Sequence, residues 1–110
     1  MNDYYLDMIP IRLYQLRKQK KISANDMSLK LGHNRNYISD IENGKAYPSM
    51  VGLINICDFL GITVSDFFDD RIENPALIRE TITYLRQLSD TQLQHISALA
   101  QDLSEENHKA

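Results

Sequence analysis

The chain has a single cysteine, Cys57, and no tryptophan among its 110 residues. One thiol excludes an intrachain disulfide and fits a reducing compartment. No run of apolar residues approaches the ~18 that cross a bilayer. The opening Met1-Asn2-Asp3-Tyr4-Tyr5 lacks the basic head and apolar centre of a signal peptide. The expected location is therefore the cytoplasm, with no membrane partner. Period-two alternation of useful length and hairpin dipeptides are also missing, which removes the β classes. Chemistry is equally sparse. No serine, cysteine or lysine stands in a nucleophile motif, and His33, His95 and His108 are dispersed without metal-ligand spacing. The acids Asp66, Asp69, Asp70 and Glu73 lack the alternating oxygen ligands and central glycine of a calcium loop. They read as a solvated cap and joint. Neither enzymatic activity nor a cofactor is expected.

What remains is ordinary in bulk, with 43% hydrophobic and 25% charged residues. One compact domain with a short appendage fits that length. The formal charge of −3 conceals a division. Residues 1–48 carry eight basic against five acidic side chains, and residues 49–110 carry four against ten. Nucleic acid responds to the local field at the contact face, so this division permits a DNA partner without arguing for one.

The apolar spacing resolves into short helices, each with its own start and stop signals. A first segment runs from about Pro10 to Lys20, with Leu13 and Leu16 inward. Ser23 and Asp26 form a capping pair for a second, which carries Met27, Leu29 and Leu31 and ends at Gly32. Asn34 is expected to cap a third over residues 34–43, with Tyr37, Ile38 and Ile41 as its apolar side and Gly44 as its stop. A fourth opens at Pro48-Ser49 and closes at Gly61, with Leu53, Ile54, Ile56, Cys57 and Leu60 as its inward stripe. Thr63 and Asp66 start a short fifth segment ending in Phe67-Phe68. Beyond an acidic joint at 69–73, Asn74-Pro75 begins a sixth and Ser89-x-x-Gln92 boxes a seventh. Past Ser104 the polar chain is expected to fray. The fold class is all-α: a five-helix domain over residues 1–70, then a two-helix hairpin over residues 71–110.

A short helix, a glycine-containing turn and a second short helix make a helix-turn-helix, whose second helix projects far enough to enter a major groove about 12 Å wide. The residues it would present are Asn34, Arg35, Asn36, Tyr37 and Asp40. At this point the sequence resembles the phage Cro/C1-type helix-turn-helix regulators, also called the xenobiotic-response-element family. The residues that carry the resemblance begin with Leu13-x-x-Leu16-Arg17, Ile22-Ser23 and Leu31-Gly32. They continue through Tyr37-Ile38-Ser39-x-Ile41-Glu42-Asn43-Gly44-Lys45, Pro48-Ser49 and Leu60-Gly61-Ile62 to Phe67-Phe68. The match spans about half the chain in order, and the run from Tyr37 to Pro48 is its most specific part.

The resemblance implies a sequence-specific transcriptional regulator, a repressor acting as a homodimer on double-stranded DNA. It places Arg35, Asn36, Tyr37 and Asp40 where bases are read, and Asn34, Asn43, Lys45 and Ser49 where phosphates are held. Arginine pairs with guanine, asparagine with adenine, and a carboxylate accepts from the cytosine amino group. Arg17 and Glu42 fall where the family has an internal ion pair between its first and third helices, a DNA contact being the other reading. Tyr37 has a rival role packing at the core edge, and Lys18, Lys20 and Lys21 read either as a solvated helix end or as phosphate ligands. Cys57 takes the place of a small buried alanine, as a core thiol or a redox sensor. Two positions depart from the pattern. Ala24 replaces a glutamine that grips the DNA backbone, and Ser28 replaces an alanine, so its hydroxyl needs the carbonyl one turn back.

The hairpin's apolar face is Ile78, Ile82, Leu85, Leu93, Ile96, Leu99 and Leu103. It can pair with a second chain or cover the chain's own core. A different class of function, a protein-interaction module of repressor-like fold such as an antitoxin or anti-regulator, would dock a protein antagonist on this face.

Overall fold

The computed structural model describes residues 3–108. Among them the chain is all-α: α1 (Tyr4–Gln19), α2 (Ala24–Lys30), α3 (Tyr37–Glu42), α4 (Met50–Leu60), α5 (Val64–Phe67), α6 (Pro75–Leu85) and α7 (Asp90–His108). The chain divides into two compact units, one extending to Arg79 and the other starting at Glu80, so that the division falls inside α6.

The first unit is built round Leu13, Leu16, Met27, Ile38, Ile41, Leu53, Ile56, Cys57, Leu60 and Phe67, all buried. Several of the short helices here have chemically marked starts. Ser23 Oγ accepts from the Asp26 N–H, Ser49 Oγ accepts from the Gly52 N–H, and Thr63 and Asp66 cap each other reciprocally. Gly61 takes φ +74° at the end of α4, a conformation that costs a side-chain-bearing residue more than it costs glycine.

Four expectations are corrected. Helix α1 begins at Tyr4, so Pro10 lies inside it. The turns ahead of that proline are held from outside: the Tyr4 hydroxyl donates to Asp70 at 2.6 Å, and the Tyr5 ring meets Phe68 edge-on at 5.6 Å. Helix α3 runs Tyr37–Glu42, shorter than residues 34–43, because Asn34 closes a turn of its own instead of capping the helix. Its Oδ1 accepts from the Asn36 N–H at 2.9 Å. Ile54 is 42% exposed, since four-residue spacing from Met50 turns it to the outer side of α4. Helix α7 continues past Ser104 to His108.

The strongest anchor of the first unit lies at Arg12, which shares the inward stripe with Ile9, Leu13 and Leu16 and is 3% exposed. Among the described residues, no carboxylate hydrogen-bonds to its guanidinium. It donates instead to the carbonyls of Phe67 (2.8 Å), Asp66 (2.9 Å), Asp69 (3.0 Å) and Ile72 (2.8 Å), and to Gln15 Oε1 (3.0 Å). These carbonyls belong to the end of α5 and the bend after it, where helical partners run out. Further on, Arg79 of α6 pairs with Asp66, and Asn74 Oδ1 accepts from the Leu77 N–H at 3.2 Å.

The second unit contains the remainder of α6 and all of α7, joined across residues 86–89. Ser89 and Gln92 form the expected capping box, with Gln92 Oε1 accepting from the Ser89 N–H (3.0 Å) and Ser89 Oγ from the Gln92 N–H (3.2 Å).

Two outcomes follow for stability. Arg12→Met strands buried carbonyls and is expected to cost roughly 3 kcal/mol, read as a lower urea midpoint. The hydrogen bond from Arg79, helped by Thr63 and opposed by burial, holds the Asp66 carboxyl below its usual range. A group depressed in the folded state stabilises fully above its unfolded value, about 3.9 for aspartate, and loses that contribution as pH falls through the folded value. The stability deficit of Asp66→Asn at pH 7 should therefore shrink progressively below about pH 4, which urea titrations at both pH values would measure.

Candidate nucleic-acid interface

Helices α2 and α3 and the turn between them form the helix-turn-helix. At six residues, α3 is too short to persist on its own hydrogen bonds, so its position is set by what grips it. Ile38 and Ile41 sink its inner side, at 0% and 1% exposure. Ser28 grips its start: the Ser28 hydroxyl donates to the Ala24 carbonyl at 2.7 Å and accepts from the Ile38 N–H at 2.9 Å. The serine that departs from the family pattern thus satisfies itself one turn back and also holds a first-turn amide of α3.

At the other end of α3, Glu42 receives two hydrogen bonds from Arg17, Nε to Oε2 at 2.7 Å and Nη2 to Oε1 at 2.9 Å. Arg17 Nη1 also donates to the Ile22 carbonyl at 2.9 Å. Both side chains are about nine-tenths buried, at 10% and 9% exposure. The bond to Glu42 raises the already high guanidinium value against the opposing effect of burial. A bidentate pair so placed fixes both distance and rotation between α1 and α3.

Held in this way, α3 leaves a polar rim outside. Arg35 and Asn36 are exposed and stand in the turn before α3 rather than on it. Asp40, half-buried, lies one helical turn beyond Asn36, its N–H donating to the Asn36 carbonyl at 2.9 Å. Asn43 and Lys45 are exposed after the helix, and the Lys45 N–H donates to the Asp40 carbonyl at 2.8 Å. Asn34 is exposed with its oxygen engaged, which orients its amide nitrogen as the donor. Ser49 is exposed, and its oxygen caps α4.

Tyr37 sits differently from the rest of this rim. It is half-buried against the core, its ring stacks on His33 with centroids 3.6 Å apart and planes 5° from parallel, and burial raises its hydroxyl. A Cβ on Gly52 would lie 2.7 Å from the Tyr37 hydroxyl and 3.2 Å from Ser49 Oγ. Any side chain at Gly52 would make the tyrosine hydroxyl shift. Tyr37 therefore reaches the first turn of α4.

Cys57 is 1% exposed, and burial pushes its thiol up to about 11, which suits packing and opposes redox chemistry. Lys18 lies 5.8 Å from the Tyr14 ring centroid and Lys20 5.3 Å from that of Phe59, while Lys21 takes φ +58° in the turn after α1. The hairpin residues are uncovered to different degrees. Within the first unit, Ile78 is 50% exposed. In the second, Ile82 (36%), Ile96 (44%), Leu99 (56%) and Leu103 (50%) are exposed, and Leu85 and Leu93 are half-buried. The sequence reading had missed the roles of Arg12, His33 and Gly52. Arg12 carried a signal nevertheless, as a charge on the Ile9/Leu13/Leu16 stripe.

Residues 11–70 match the model of the helix-turn-helix domain family. The chain belongs to that family. Among curated proteins, it is 42% identical over 60 residues to control protein C.MunI of Mycoplasma sp., a match covering 54% of this chain and 81% of that protein. It is 37% identical over 49 residues to the ImmF control region 10 kDa protein of Bacillus phage phi105, covering 44% of this chain and 54% of that protein. No solved structure gives a significant match. This is a Cro/C1-type helix-turn-helix regulator, a DNA-binding regulator of transcription. No helix among its described residues is long and apolar enough to cross a membrane.

Removing one partner of the Arg17–Glu42 pair strands the other. Glu42→Ala should cost about 3 kcal/mol, seen as a lower midpoint in chemical unfolding, and should weaken DNA binding in proportion to the loosening of α3.

Proposed function

We propose that this protein is a cytoplasmic transcriptional repressor that binds double-stranded DNA as a homodimer. Residues 1–70 form the DNA-binding domain and residues 71–110 the dimerisation element. The observation that carries the reading is the rigid seating of α3 by Ser28, Ile38, Ile41 and Arg17–Glu42, which leaves Arg35, Asn36 and Asp40 on an exposed rim. In the major groove Arg35 pairs with guanine, Asn36 with adenine, and Asp40 accepts from a cytosine amino group. Tyr37, by its place against Gly52 in the first turn of α4, contributes more through its hydroxyl at the backbone than through a base edge. Asn34, Asn43, Lys45 and Ser49 hold phosphates and set register. The names of the two relatives, one a control protein and the other a control region protein, support a regulatory role.

The dimer rests on Ile78, Ile82, Leu85, Leu93, Ile96, Leu99 and Leu103, most of them exposed in the single chain. Two-fold symmetry pairs two recognition helices with half-sites about one turn apart. The same exposed face also supports a second reading, in which it takes a protein antagonist. Salt separates the two, because DNA binding weakens steeply through counterion release whereas apolar helix pairing barely responds.

Selection from a random duplex pool at fixed moderate salt should enrich a palindrome with half-sites about ten base pairs apart. On that duplex, Arg35→Ala should relax preference at one base position at a cost of about 1–3 kcal/mol, and Lys45→Ala should weaken all sequences alike. An enriched single half-site would remove the symmetric dimer. Failure to enrich any sequence, even at low salt, would leave the interaction module as the function.

A further inference from the structure

Three observations meet at the turn before α3. His33 is exposed, and its ring lies face to face with that of Tyr37, centroids 3.6 Å apart. The backbone holds it there: the His33 N–H donates to the Ser28 carbonyl at 3.0 Å, on the same serine that fixes the start of α3. The Tyr37 hydroxyl lies against Gly52 in the first turn of α4, where a Cβ would come within 2.7 Å of it. The stack therefore runs from beside Asn34 in sequence to the first turn of α4, the helix that Ser49 caps, and both residues are assigned above to phosphates.

We propose that His33 is a DNA-contacting residue, a stacked imidazole that gives a phosphate a charged hydrogen bond once protonated. This rests on the DNA-reading function proposed above. The physical case has two parts. An imidazole held parallel to a tyrosine ring is already ordered, so little rotamer entropy is lost when a phosphate arrives. Histidine is also the side chain whose charge changes between about pH 5 and 8, so the contact is expected to depend on pH in that range. Charged groups carried by the elements around the stack are Asp26 and Lys30 on α2, Arg35 in the turn itself, and Asp40 and Glu42 on α3. Glu42 is committed to Arg17, the first turn of α4 carries no acid, and Tyr37 is the titratable group in direct contact. Approach of a phosphate adds negative charge at the ring, so DNA binding and protonation of His33 reinforce each other.

The test is fluorescence anisotropy of the selected duplex at pH 6 and pH 8, at matched ionic strength, with the full-length protein. The wild type should bind about fivefold tighter at pH 6, with a salt slope steeper by about one phosphate contact. His33→Gln should bind as the wild type does at pH 8 and lose both differences. His33→Arg, a planar cation able to stack, should bind tightly at both pH values. Equal wild-type affinity at the two pH values, or an undiminished pH difference in His33→Gln, would overturn the role of His33 while leaving the DNA reading intact. Failure of wild type and both variants to bind any duplex would overturn the DNA reading, and this proposal with it.

Discussion

Forming the first turn of a helix fixes several residues for a single hydrogen bond, and a helix of six residues never recovers that cost by propagation. Everything this chain does with α3 depends on that constraint. A recognition element has to present its outer side to a partner, so it can bury only one stripe of its own. Here Ile38 and Ile41 supply the stripe, and two polar attachments supply what apolar burial cannot, a fixed rotation about the helix axis. Ser28 grips an amide at one end and Arg17 a carboxylate at the other. Between them they set which side chains face outward, and the chemistry of the rim follows.

Two buried arginines do this structural work by different means. Arg17 meets a carboxylate in a bidentate pair, which ties two helices at a defined angle. Arg12 meets carbonyls, with a neighbouring amide oxygen as its other acceptor. Desolvation lowers its value while Asp69, Asp70 and Asp66 act from nearby to raise it. Carbonyl clasping suits the end of α5 and the bend after it, where the Asp66 and Asp69 oxygens each accept one turn amide and Arg12 supplies a donor to them and to those of Phe67 and Ile72. One guanidinium thus replaces the next helical turn and lets the chain bend directly into the approach to α6.

The elements whose boundaries lie in local chemistry were legible in the sequence. Ser49 to Gly61 brackets α4, Thr63 and Asp66 start α5, and Ser89 with Gln92 starts α7, because a cap needs only neighbours in sequence. The start of α1 was not legible. Its turns before Pro10 are held by Asp70 and Phe68, more than sixty residues away, and no local signal reports that. The candidate site divides along the same line. The family pattern placed Arg17, Glu42 and the polar rim, since it encodes long-range geometry as residue types. It was silent on the His33–Tyr37 stack and on Gly52, which depend on how one ring is tilted. Asn34 shows the intermediate case: its residue type announced a turn, but the type alone does not distinguish a helix cap from a turn one step earlier.

The second unit poses the opposite problem from α3. Helix α7 has nineteen residues, long enough to persist, yet none of them is buried. Its apolar residues recur at helical spacing beside polar ones, a pattern with no purpose in a helix that remains solvated. Covering a leucine or isoleucine fully is worth about 1.5–3 kcal/mol, so Ile82, Ile96, Leu99 and Leu103 together represent a substantial driving force left unused in the single chain. A second copy is the economical cover under the proposed function, because it also brings a second α3. Pairing through this face then adds the affinity of two half-sites to a reading surface whose individual contacts are few.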